Sequence, residues 1–349
     1  MNKLEECLTE KFNKKYCVFT GSGTTSIYLI LKALNLNHKK IVYPAITCMT
    51  PVNAAIYAGY APEFCDVNLE DYTMDIESLK SIIDNEDIGI IVPTHIYGHR
   101  CDMKSIYEIV RDKNIFILED SAQSYYFSGY SDASIISFGN TKLLQCNNGG
   151  GAIFTDDVKL YNNILKYKKD LPRKPFDIEN KFNLYRDSYY GIVRNYKGKE
   201  FNIHMKQLQL DSRETFIYDL VFNEALLDVI NELENIIDKR KERRNLYDKY
   251  LIKKNLYLPK LEENEGLWRY TFLYKGNREK LLLQARKQGV DISNWYINLS
   301  KIHSDNQRIL KNADIVENEV VNLWIEDKKK IEDIKKDIKI INDIIINNR

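Results

Sequence analysis

Neither positive nor negative charge is in excess in this chain. Its 349 residues carry 51 lysines and arginines against 50 aspartates and glutamates, a net +1. Composition therefore supplies no field that would draw in nucleic acid or an anionic membrane, and neither partner is expected. Long apolar runs are missing too: no stretch reaches the roughly 20 residues a bilayer helix needs. The opening MNKLEECLTEKFNKKY is charged where a signal peptide would be apolar, so a cytoplasmic protein is expected. Cysteine is sparse and dispersed. Cys7, Cys17, Cys48, Cys65, Cys101 and Cys146 form no CxxC pair and have no histidine at zinc-ligand spacing, which argues against a metal site. Neither the GK[ST] of a Walker loop nor a full GxGxxG fingerprint occurs, and no internal repeat is found.

What is present is the balance of a packed globular protein, 44% hydrophobic and 29% charged, with length for two domains. The first half alternates short apolar runs (CVFT, KIVYPA, APEFCDV, IGIIVPTHI, IFILED, ASIISFG, GAIFT) with amphipathic stretches such as MKSIYEIVRDK, where Ile106, Ile109 and Val110 share a face. That alternation predicts a doubly wound α/β domain with a mostly parallel sheet. From about residue 223 an apolar stripe (Leu226, Val229, Ile230, Leu233, Ile236, Ile237) predicts one long linking helix. A strand RYTFLY, a helix REKLLLQARKQG and a C-terminal helix marked by Ile331, Ile334, Ile338, Ile341 and Ile345 follow, a smaller α+β domain. The division is expected at residues 1–222 and 223–349. The basic run DKRKERR at 238–244 reads as the solvated face of the long helix.

Three stretches carry chemistry. GSGTTS after the first strand is either a capped turn or a phosphate cradle, with Ser22, Thr24 and Thr25 at a helix N-terminus. IFILEDSAQS ends a strand in Glu119 and Asp120, which point to opposite sides. Asp120 reads as a helix cap, a magnesium ligand or the partner of a protonated ring nitrogen. His95, at another strand end, is a structural hydrogen-bond donor or a site residue. Lys142, just past ASIISFG, is a loop charge or an amine made nucleophilic by desolvation. Together, a phosphate loop, a strand-end aspartate and Ser-Phe-x-x-x-Lys before a glycine run are the parts that hold pyridoxal 5'-phosphate (PLP).

In this order and spacing the motifs resemble those of the PLP-dependent nucleotide-sugar aminotransferases of DegT/StrS type. GSGTTSIYLILKAL is similar to the family's SGTxAL segment, THIYGHRCDM to its HxYG segment, EDSAQS to EDxAQ and SFGNTKLLQCNNGGG to SFxxxK with a glycine-rich return. The resemblance implies PLP fold type I, with Lys142 as the Schiff-base lysine and Asp120 as the pyridinium partner. Gln123 would lie near the ring hydroxyl, and Gly23, Thr24, Thr25 and Ser137 would hold the phosphate. FNIHM (201–205) is similar to the family's N-Y-R-M loop, which makes Asn202 a candidate from a partner chain and implies a homodimer with shared sites.

The implied reaction moves an amino group from an amino-acid donor such as glutamate to a keto-sugar nucleotide in surface-polysaccharide or amino-sugar biosynthesis. A smaller keto substrate such as a phosphorylated triose, and a non-catalytic PLP-fold binding protein, are the alternatives. Two departures stand out. Cys48 occupies the place of the family's ring-stacking aromatic, and SNWYINLSKIH, with Trp295, Tyr296, Ser300 and His303, replaces a more regular motif.

Overall fold

The computed structural model describes residues 1–349 except 37, 147, 222–223, 262–264, 266, 304–307 and 348–349. The seven apolar runs of the first half all become strands: β1 (Tyr16–Thr20), β2 (Lys40–Pro44), β3 (Ala61–Cys65), β4 (Ile88–Ile91), β5 (Phe116–Asp120), β6 (Ala133–Ser137) and β7 (Gly151–Thr155). They form one sheet in the order β1-β7-β6-β5-β4-β2-β3. β2 through β6 pair in parallel, while β7 runs antiparallel between β1 and β6. β4, β6 and β7 are buried at every residue. This accounts for their continuous apolar runs, since helices cover both faces of such a sheet. In the helix Met103–Val110, Ile106 and Val110 are buried as their spacing predicts.

A second, antiparallel sheet follows: β8 (Leu256–Tyr257), β9 (Tyr270–Tyr274), β10 (Ile292–Ser293) and β11 (Val320–Leu323), ordered β10-β11-β9-β8. The helices Arg278–Lys287 and Ile331–Asn347 pack on it, with Leu281, Leu282, Ile334, Ile338, Ile341 and Ile345 in its own core. The expected domain division falls at 222/223, outside the described residues.

The long linking helix is broken. It runs as Ala225–Asn231 and Leu233–Tyr250, with Glu232 between them at φ −85°, ψ 1°. Leu226 and Ile230 join the main core, whereas Tyr247 joins the second, so the bend serves two cores that one straight stripe would not reach.

The basic run is solvated only in part: Asp238, Lys239 and Glu242 are exposed, but its arginines are not. Arg240, Arg243 and Arg244 are buried. Arg240 Nη1 donates to the Leu267 and Trp268 carbonyls at 3.3 and 3.1 Å, and Arg243 donates to the Lys329 and Asp327 carbonyls at 3.0 and 2.7 Å. Connecting segments buried outside a sheet leave carbonyls without partners, and the guanidinium fork reaches several at once. Charge patterning along the helix cannot reveal that demand, because it arises in segments distant in sequence. Two further helices, Ile178–Asn195 and Gly198–Asp211, have no counterpart in the sequence reading. The first buries no residue and leaves Phe182, Leu184 and Tyr190 exposed.

Candidate active site

β1 ends at Thr20, and the chain turns through Gly21 and Ser22 into the helix Gly23–Leu34. The Thr25 N–H donates to Ser22 Oγ at 3.0 Å, capping the helix. A Cβ on Gly23 would stand 3.0 Å from Ser137 Cβ, and one on Gly151 would stand 2.5 Å from the Ser22 carbonyl. Glycine is therefore required at 151, and a side chain at 23 would crowd Ser137, for this helix end to approach the ends of β6 and β7 so closely. Gly23 packs against Ser137 in the first turn of the helix, with Thr24 next in that turn, where unpaired N–H groups favour an anion. Thr24 makes no side-chain hydrogen bond among the described residues.

Thr25 does not take the expected phosphate role. Its Oγ1 lies 3.0 Å from the Phe216 carbonyl and 3.2 Å from that of Tyr218, and it accepts the Tyr218 N–H at 3.3 Å. A hydroxyl has one proton, and here the chain's own carbonyls take it. Thr25 and Ser22, whose Oγ donates to Phe216 O at 2.9 Å, instead latch the segment Phe216–Tyr218 across the loop.

Asp120 is the last residue of β5 and is 2% exposed. Its Oδ1 accepts the Ala122 N–H at 3.0 Å, and among the described residues its other oxygen has no hydrogen bond. Burial raises the pKa of this carboxyl, against the Ala122 N–H and the nearby Lys142 and His95, which lower it. Lys142 follows β6, its N–H donating to Gly139 O at 3.1 Å. A Cβ on Gly139 would lie 3.5 Å from Ser137 Oγ and 4.0 Å from Lys142 Cγ, so the serine and the lysine flank one small gap. Burial lowers the Lys142 pKa, Cys48 and Asp120 pull it back up, and Arg269 pushes it further down. The net fall favours a neutral amine.

Glu119 points away from Asp120, as the pleat requires. It accepts His95 Nε2–H at 3.0 Å, Ser131 Oγ–H at 2.7 Å, Ser134 Oγ–H at 2.9 Å and the Ser128 N–H at 2.9 Å. The Cys101 N–H donates to His95 Nδ1 at 3.0 Å, which places the imidazole proton on Nε2. His95 is thus structural. Gln123 is committed as well: its Oε1 accepts the Tyr97 N–H at 2.8 Å and its Nε2 donates to Tyr296 Oη at 3.3 Å. Its amide orients two aromatic rings instead of standing free for a ring hydroxyl.

Those rings belong to a wall that motif spacing did not reveal. Tyr296 stacks on Tyr97 at 5.8 Å between centroids and on Trp268 at 6.3 Å, and Trp268 stacks on Trp295 at 5.8 Å. Lys142 Nζ lies 5.3 Å from the Trp268 ring centre, and Trp268 Nε1–H donates to Thr141 O at 2.6 Å. Behind it Arg269, wholly buried, lies 3.9 Å from the Trp268 ring and 3.2 Å from that of Trp324. Among the described residues its Nε and Nη2 have no hydrogen-bond partner, and burial foremost lowers its pKa to about 9. Trp268 and Arg269 immediately precede β9 and carry no local signal. Cys48 caps the helix Met49–Ala58 near Lys142 and supplies no ring, so aromatic surface here comes from Trp268 and Tyr296.

FNIHM lies inside the helix Gly198–Asp211 and is not a loop. Met205 and Gln209, one turn apart, are its buried contacts, and no breaker interrupts the stretch. Asn202 on that helix is half-buried and shares no hydrogen bond with the Lys142 cluster of its own chain.

Lysine, aspartate and anion cradle at the ends of β1, β5 and β6 coincide with the match of residues 1–216 to the model of the DegT/DnrJ/EryC1/StrS aminotransferase family. The chain belongs to the DegT/DnrJ/EryC1/StrS aminotransferase family. Among curated members it is 30% identical over 176 residues to GDP-perosamine synthase of Escherichia coli O157:H7, covering 48% of each chain. It is 29% identical over 168 residues to UDP-2-acetamido-2-deoxy-3-oxo-D-glucuronate aminotransferase of Pseudomonas aeruginosa, covering 46% of each. These matches span about half the length of the curated relatives. The fold matches NtdA of Bacillus subtilis, solved with bound cofactor PMP, at TM-score 0.77 and 19% identity, over 99% of this chain and 77% of that one. It also matches the aminotransferase from Psychrobacter cryohalolentis at TM-score 0.77 and 17% identity, over 99% and 91%. DegT/StrS membership fits the large, mostly parallel sheet and the smaller second sheet.

Proposed function

We propose that the protein is a PLP-dependent aminotransferase that moves an amino group from an amino-acid donor, glutamate in the first instance, to a keto-sugar nucleotide. The observation that carries this is the convergence of Lys142, Asp120 and the Gly23–Thr24–Ser137 cradle at the carboxyl ends of the sheet. The site fits the cofactor in three places. The cradle is an anion seat, Asp120 keeps one carboxylate oxygen without a partner, and Lys142 is a desolvated amine. Bound there, PLP would supply the electron sink that stabilises negative charge at the substrate carbon.

The chain's own groups would do the rest. Thr24 and Ser137 donate to the phosphate with the first N–H groups of the helix. Asp120 would accept the ring N–H and keep that nitrogen protonated. Lys142 would anchor the cofactor covalently, and its amine would hold and pass on a proton at Nζ. Trp268 and Tyr296 exclude water beside the amine, and Gln123 fixes Tyr296.

A homodimer belongs to this reading, supported by exposed Phe182, Leu184, Tyr190 and Ile203 on the paired helices 178–195 and 198–211. Asn202, on the second of these, is the residue offered to a partner's phosphate. A cytoplasmic location goes with the substrates; among the described residues no helix is long and apolar enough to cross a membrane. The test is turnover of keto-sugar nucleotides with glutamate as donor. Turnover of small phosphoketones alone, or no turnover by cofactor-loaded protein, would overturn the substrate assignment.

A further inference from the structure

The sheet has chemistry at its other end as well. Lys142 and Asp120 serve the carboxyl ends of the strands, whereas β2 and β3 begin at a cavity of about 320 Å3. That size is at the small end of ligand pockets, which run from about 300 to 1,000 Å3. Lys40 opens β2 and Glu63 lies in the edge strand β3; Ile56, Lys206, Leu210 and His303 complete the working wall.

His303 is 6% exposed, and among the described residues neither ring nitrogen has a hydrogen-bond partner. Burial, and then the Lys206 ammonium, lower its pKa to about 4, so at neutral pH it is an uncharged imidazole with one N–H to give. Lys206 makes no ion pair among the described residues. Lys40 is already satisfied, with Glu63 at 2.7 Å and Glu86 at 2.8 Å, and Glu86 also holds Arg308 at 2.8 Å. The Tyr60 hydroxyl is taken up by Leu36 N–H and Leu31 O. Two groups are therefore open, a single ammonium and a neutral donor, beside the apolar surface of Ile56 and Leu210.

We propose that this cavity is a second small-molecule site, which binds the carboxylate of a small aliphatic acid between Lys206 and His303. One oxygen meets the ammonium and the other the imidazole N–H, while the aliphatic body lies on Ile56 and Leu210. A single uncompensated cation suits a monoanion. A phosphate dianion would face the Glu63 carboxylate with one counter-charge too few. The site does not depend on the proposed transamination, because none of its residues reaches Lys142.

The test uses the full chain labelled with [13C]histidine and isobutyrate as probe. The expected result is a saturable shift of the His303 ring signals, absent with isobutyramide, and weakened at least tenfold by Lys206→Met. Lys206 is partly exposed, so that variant tests binding without disturbing the core, and His303→Gln should weaken binding while the other histidine signals stay in place. No saturable shift, equal binding of isobutyramide, unchanged affinity in Lys206→Met, or preference for inorganic phosphate would each overturn the proposal.

Discussion

Lys142 Nζ lies 5.3 Å from the centre of the Trp268 ring. The same indole carries the Arg269 guanidinium at 3.9 Å, so a buried cation sits one ring away from the amine.

That arrangement predicts how Lys142 titrates. Arg269 lowers its pKa in addition to burial, so Arg269→Met should raise it and Arg269→Lys should restore it. In the cofactor-free protein at neutral pH, amine arylation at Lys142 should slow about threefold in Arg269→Met, since only the neutral amine reacts. An unchanged rate-against-pH curve would remove Arg269 from the site's electrostatics.

The two threonines of GSGTT should separate. Thr24→Val should weaken PLP binding about tenfold, the loss of one hydrogen bond to a charged group, with little change in unfolding temperature. Thr25→Val should cost about 1 to 2 kcal/mol of stability by releasing Phe216–Tyr218. Equilibrium dialysis and thermal unfolding of both variants check this, and equal behaviour would contradict it.

Arg240→Met should destabilise the protein by about 2 to 4 kcal/mol, because the Leu267 and Trp268 carbonyls lose their donor inside the core. Denaturant unfolding measures it. A surface-like effect of a few tenths would mean that this basic run is solvated after all.

Glu119→Gln gives a pH signature. Burial raises the Glu119 pKa, but bonds from His95, Ser131 and Ser128 outweigh it, and the net shift is downward. A lowered folded-state pKa contributes stability above the unfolded value, about 4.3 for glutamate, and loses it as pH falls through the folded one. The variant should therefore be weaker by about 2 to 3 kcal/mol at pH 7, with the gap closing below about pH 4. A gap independent of pH would contradict this assignment.

Much of this was legible from local pattern. Every strand of the main sheet overlaps one of the short, largely apolar runs, and Lys142, Asp120, Gly23 and Ser137 all lie near strand ends of that sheet. The remainder depends on contacts between distant segments. Thr25 is consumed by carbonyls some 190 residues away, Gln123 by Tyr97 and Tyr296, and Arg240 and Arg243 by backbone carbonyls of segments that flank the second sheet's strands. Arg269 reads as the start of an ordinary strand, RYTFLY, until the fold sets Trp268 beside Lys142 with Arg269 behind it. The helical state of FNIHM was hidden because a short resemblance outweighed the absence of any helix breaker.

The central claim is that Lys142 is the covalent anchor of PLP. Borohydride reduction of the cofactor-loaded protein, followed by peptide mass spectrometry, tests it most directly. The account predicts a pyridoxyl group fixed on Lys142 and none in Lys142→Ala. A label on any other lysine, or no bound cofactor in a folded protein, would contradict it.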